Sequence, residues 1–189
     1  RFVVGFLVFL VAFAFRDDGA AKAWYGLVLG ASAMGGLVGT AVAPGVRRHV
    51  REELMLVSLL FVTATSGVIA YLVKGKPAAA VVAFGIGLGS TAGRLAFDAI
   101  VQRDAPDANR GRSFARFESR FQVVWVTGAF LPVIIPTPAL AGYLVIAGGC
   151  AFAGGSYLVG MRHVRTKGTM PTPLRAKAIS TVKERRQQR

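Results

Sequence analysis

The chain has 189 residues, of which 53% are hydrophobic and only 17% charged, and its mean hydropathy is +0.52. A soluble domain carries about 25% charge, and here the apolar residues are gathered into long runs, so a membrane protein is expected. The net charge of +14, from 23 Lys and Arg against 9 Asp and Glu, admits two explanations: a nucleic-acid surface, or the basic loops of a membrane protein. The single cysteine, Cys150, excludes an intrachain disulfide, and His49 and His163 are too far apart in sequence to suggest a metal site.

Six hydrophobic segments follow in chain order. Phe2–Phe15 is wholly apolar, and its 14 residues make about 21 Å of helix against about 30 Å of hydrocarbon. Arg-Asp-Asp follows it where a signal peptide would have small residues, so it is read as a spanning helix truncated at its start. Trp24–Val46 opens on an interfacial Trp24-Tyr25 pair and carries Ala31, Gly35 and Gly39 at every fourth position, a stripe on which another helix can lie close. Pro44 and Gly45 are expected to end it. Leu54–Val73 holds four hydroxyls, Ser58, Thr63, Thr65 and Ser66, which can bond carbonyls of their own helix.

Ala78–Val101 contains Gly85, Gly87, Gly89 and Gly93. A phosphate-cradling loop would follow a strand and open a soluble helix. These glycines lie inside an apolar run, so they predict helix packing. The basic connector Gln102–Arg120 follows. Within it Pro106-Asp107-Ala108-Asn109 is expected to start a short amphipathic helix at the membrane interface, with Phe114, Phe117 and Phe121 on one face and Arg112, Arg116 and Arg120 opposite. The fifth span is about Phe117–Ile135, bent at Pro132. The sixth is Ala139–Gly160. Met161–Arg189 is a polar, basic tail expected to be disordered.

The loop charges set an orientation. Connectors after the second and fourth spans, and the tail, hold 17 Lys and Arg; those after the first, third and fifth hold 4. The positive-inside rule places the richer set and the carboxy-terminus in the cytoplasm, with the chain in the cell's inner (plasma) membrane. Charge spread over several loops of one face is explained by topology and anionic lipid, so no nucleic-acid partner is expected. Nine basic residues in the tail would contribute about 1 kcal/mol each near an anionic leaflet.

Within the spans, Arg94 and Asp98 stand four residues apart on one helix face, where their side chains can meet. At 1.5 Å per residue they lie about 13.5 Å and 7.5 Å inside Arg103. Charges at that depth are costly unless they are paired or face water. A gate or proton-coupling pair and a structural ion pair are both open. Glu118 is the acid within Arg112–Arg120 and is expected to pair with a nearby arginine. Ser90, Gln122 and Trp125 are candidate path-lining residues. No nucleophile–base pair, paired catalytic acids or cofactor motif is present, so neither an enzyme nor a cofactor is expected.

Two segments carry a family resemblance. Gly35-Gly36-Leu37-Val38-Gly39-Thr40 through Arg47-Arg48-His49-Val50-Arg51 resembles the glycine-then-basic loop between the second and third helices of each half of a major facilitator superfamily transporter. The family's acidic residue near that helix end has no counterpart, Pro44-Gly45 standing in the region. Arg103-Asp104-Ala105-Pro106-Asp107 with Arg110-Gly111-Arg112 is similar to the loop after the fourth helix of a half in bacterial exporters of that superfamily. The resemblance implies an all-α polytopic protein whose residues 1–160 are the carboxy-terminal six-helix half of a twelve-helix fold. It further implies a missing amino-terminal half, a small-molecule substrate near the midplane, and alternating access. A proton-coupled exporter is the expectation it favours. A non-transporting scaffold or sensor bundle signalling through the basic tail is the alternative. An upstream reading frame encoding six further spans, with the same alternation of basic loops, is the expected outcome of sequencing the source DNA; a start codon a few residues before Arg1 would contradict it.

Overall fold

The computed structural model describes residues 1–104 and 110–166. The described residues form six α-helices and no strand: α1 (Phe2–Asp17), α2 (Lys22–Arg47), α3 (Glu52–Val73), α4 (Gly75–Asp104), α5 (Arg110–Ile134) and α6 (Ala139–Thr166). The chain divides into two compact units, residues 1–154 and 155–189. Of the second unit, the described residues continue α6 from Gly155 to Thr166. Residues 105–109 and 167–189, which include Asp107 and most of the expected tail, lie outside the described residues.

Four helices are long and apolar enough to cross a membrane: α2, α3, α4 and α6. Each of the six expected segments is helical, and among the described residues four of the helices meet the requirements of a span. α1 has only 16 residues, and α5 opens with an arginine-rich segment.

The helix boundaries follow local chemistry. α1 stops where Gly19 takes φ +58, and the Ala20 N–H bonds the Phe15 carbonyl at 2.8 Å. α2 runs past Pro44 to Arg47, one residue beyond the expected Val46. Pro44 removes one hydrogen bond to the carbonyl four residues back and crowds it, which interrupts the ladder at one rung without ending the helix. α3 opens on Glu52 and Glu53, two acids at the positive end of the helix dipole. It ends at Lys74 and Gly75, with φ +56 and +68; this left-handed pair reverses the chain directly into α4. Pro77 then lies in the first turn of α4, where its missing N–H costs nothing. α4 therefore starts three residues before the expected Ala78.

α5 begins at Arg110, not Phe117, and runs without a break through the expected interfacial stretch and past Pro132. The amphipathic segment is the first part of a long helix. α6 likewise continues past Gly160 to Thr166, because no glycine or proline follows until Gly168.

In the first unit α4 is central. One face lies against α2: a Cβ at Gly87 would strike the Ser32 carbonyl, and one at Gly35 the Phe84 carbonyl. The other face lies against α3, where Gly85 receives the Ser66 side chain and Gly89 the Thr63 hydroxyl. Both hydroxyls donate to their own helix, Ser66 to Thr63 O at 2.7 Å and Thr63 to Leu59 O at 2.9 Å, so no polar hydrogen is stranded in the contact. α1 and α5 form a second close pair, Gly5 against the Trp125 carbonyl and Gly128 against the Phe2 carbonyl. Residues of α6 complete the unit, with Tyr143 beside Gly67 of α3 and Gly142 beside Leu10 of α1.

The larger apolar core, with Phe6, Leu10, Val82 and Ile146 fully buried, lies toward the ends of the helices away from Arg103. A smaller cluster of Ala43, Met55, Ala92 and Ala96 lies toward the end bearing Arg47, Glu52 and Arg103, called here the basic end.

Gly87→Ala is expected to destabilise the protein by about 1–3 kcal/mol, because its methyl meets backbone that cannot swing away. Gly149→Ala, which has open space around it, is expected to be near neutral. Thermal unfolding of the two purified variants in one detergent checks the difference.

Candidate functional site

Two charged assemblies occupy the basic end. The first joins α4 to α5. Arg94 reaches Asp98 on its own helix, Nε to Oδ2 at 3.9 Å, and Glu118 on α5, Nη2 to Oε2 at 3.5 Å. The Gln122 amide, one turn along α5, donates to Glu118 Oε1 at 3.3 Å. Arg94 is thus held between two carboxylates from different helices. The pair Arg94–Asp98 comes together as its four-residue spacing predicts. The partner of Glu118 is Arg94, across the helix boundary, and not one of the arginines of its own segment.

Beside these charges, Phe97 of α4 meets Phe117 and Phe121 of α5, with ring centroids 5.2 Å apart in both pairs and edge-to-face geometry. Phe117 and Phe121 therefore face another helix. These aromatic contacts and the Arg94–Glu118 pair are the side-chain links across α4–α5. No glycine of either helix brings the two backbones into contact, in contrast with α4–α2, α4–α3 and α1–α5.

The charges are not covered by the rest of the chain. The Arg94 side chain is 54% exposed, Glu118 43% and Asp98 34%. An ion pair with that exposure contributes at most about 1 kcal/mol to stability. It is better suited to being made and broken than to holding the fold.

Of the remaining candidates, Gln122 joins the cluster through Glu118. The Ser90 hydroxyl donates to Gly87 O at 3.2 Å, so it is satisfied on its own helix. Trp125 is half-buried on α5, at the level where Gly5 of α1 crosses. Arg110, Gly111 and Arg112 form the first turn of α5, and Gly111 is exposed with open space around it. Asp107 lies outside the described residues.

The second assembly was not legible in the sequence. At the end of α4, Arg103 donates from Nη1 to Glu52 Oε2 at 3.1 Å and from Nη2 to Glu53 Oε1 at 2.8 Å. Arg47 at the end of α2 stands 3.8 Å from Glu52, and Arg51 3.8 Å from Glu53. Three helix ends are thereby tied at one point, Arg103 bridging two carboxylates with one charge-assisted hydrogen bond from each terminal nitrogen. The available signal was the Glu52-Glu53 pair at a helix start.

The comparisons with known proteins leave function open. The chain is 30% identical over 156 residues to an uncharacterized protein of Mycobacterium leprae, ML2143, a match covering 78% of this chain and 26% of that protein. The chain thus spans about a quarter of the length of the relative it matches. No protein-family model matches, and no solved structure matches.

Glu53→Gln and Arg103→Gln are expected to be non-additive in stability, with a coupling of about 1 kcal/mol, the Arg103 side chain being 48% exposed and that of Glu53 21%. Exchanging the two charges, Glu53→Arg with Arg103→Glu, is expected to recover part of the loss. A double-mutant cycle by thermal unfolding measures both.

Proposed function

We propose that the chain is the carboxy-terminal half of a secondary active transporter of the major facilitator type, a proton-coupled exporter of a small amphipathic molecule. In this reading the half sits in the plasma membrane with its basic end and carboxy-terminus in the cytoplasm. An amino-terminal half precedes it in the whole protein, and no catalytic chemistry is involved. The observation that carries the reading is Arg94, an exposed arginine inside a helix, shared between carboxylates on α4 and α5.

The arrangement supports coupling for a physical reason. Arg94 holds two carboxylates, Asp98 fixed to its own helix and Glu118 on another. If α4 and α5 part, Glu118 loses its cation while Asp98 keeps it. A carboxylate deprived of its counter-charge near a low-dielectric interior takes up a proton more readily. Motion across this seam and proton binding are then linked, and linkage acts in both directions. The loop resemblance at Arg103–Asp107 and Arg110–Arg112 favours export, and the four membrane-length helices are compatible with a polytopic membrane protein.

The test uses the whole protein in everted membrane vesicles, with collapse of a preformed proton gradient by amphipathic compounds as the readout. Arg94→Ala is expected to reduce substrate-driven proton movement roughly fivefold, the equivalent of about 1 kcal/mol. Glu118→Gln and Asp98→Asn are expected to retain facilitated substrate movement and to flatten its pH dependence. Transport by both carboxamide variants with unchanged pH dependence would remove the cluster from the coupling mechanism.

A further inference from the structure

The face of α5 opposite the charged seam has a pattern of its own. Phe117, Glu118, Phe121 and Gly128 turn toward α4 and α1. Pointing away from both is a stripe at alternating spacings of four and three: Arg116, Arg120, Val123, Thr127, Phe130 and Ile134. All six are exposed, with Val123 at 67% and Ile134 at 71%. The stripe is basic for its first two positions and carries no charge after them. At 1.5 Å per residue its apolar part, Val123 to Ile134, extends about 16 Å, close to the depth of one hydrocarbon leaflet.

We infer that this face of α5 is a lipid-binding surface, on which Arg116 and Arg120 hold the phosphate of an anionic phospholipid while its acyl chains lie along Val123, Phe130 and Ile134. One observation favours lipid over a protein partner: the polarity changes once along the stripe, in the order a leaflet presents from headgroup to tail. The Thr127 hydroxyl within the apolar part donates to Val123 O at 2.8 Å, so it puts no unsatisfied hydrogen into the acyl region. Arginine suits the headgroup because its planar fork matches phosphate oxygens two at a time. The inference concerns α5 as a membrane-embedded helix and does not depend on transport.

Two measurements on the whole protein, reconstituted in phosphatidylcholine vesicles, test it. The first compares binding of spin-labelled phosphatidylglycerol with spin-labelled phosphatidylcholine. The wild type is expected to prefer phosphatidylglycerol, and Arg116→Gln with Arg120→Gln to lower that preference by roughly tenfold, on the scale of two basic groups at an anionic surface. Arg48→Gln, on another loop, is expected to leave most of it in place. The second places a nitroxide at Val123→Cys in a Cys150→Ala background. Relaxation by oxygen, and not by a water-soluble nickel chelate, is expected of a lipid-facing site. A label shielded from both reagents would show that another protein segment covers the face, and an unchanged lipid preference in the double variant would show that the arginines do not hold the headgroup; either result overturns the inference.

Discussion

Close approach of backbones along α4 is the constraint on which the rest of the first unit depends. In lipid, helices gain little from hiding apolar side chains, since the tails are equally apolar, and dispersion at short range has to hold them together. Gly87 and Gly35 allow α4 and α2 to touch through their main chains, while Gly85 and Gly89 take Ser66 and Thr63 from α3. The fork of Arg103 on Glu52 and Glu53 then joins the same helices at the basic end, where water weakens charge pairing and geometry has to compensate. α2, α3 and α4 are fastened in the middle by small residues and at one end by charge.

The seam between α4 and α5 is built differently. Phenylalanine edges and a shared arginine span it, and both kinds of contact tolerate sliding better than a carbonyl lodged against a glycine. In the proposed transporter, changes of conformation would be confined to contacts of this sort. Arg94, Asp98 and Glu118 stand there, close enough to interact and exposed enough to exchange partners.

The sequence disclosed those parts of the structure that depend on one helix at a time. Hydrophobic run length located all six helices, and the four-residue spacing of Arg94 and Asp98 placed them on one face. The glycines of the fourth segment belonged to packing, as their position inside an apolar run implied. What it did not disclose needed knowledge of neighbours. That Glu118 would meet Arg94, that Phe117 and Phe121 would meet Phe97, and that Arg103 would bridge to Glu52 and Glu53 each join residues far apart in the chain. The largest boundary difference has a related cause: the polarity of residues 110–116 suggests a separate element in the sequence, but helical hydrogen bonding is indifferent to the change from basic to apolar side chains, and α5 runs through it.

The glycines of α4 fall into two kinds with different histories open to them. Gly87 faces a carbonyl of the partner backbone, and no side-chain substitution elsewhere can move that atom out of the way. At Gly85 the nearest atoms are those of the Ser66 side chain, with backbone no closer than 3.9 Å. Bulk can pass between those two positions, a methyl gained on α4 being matched by a hydroxymethyl lost from α3, with the helix spacing unchanged. Among related chains, residue 87 should therefore stay fixed, while residues 66 and 85 should drift as a pair whose combined volume is held constant.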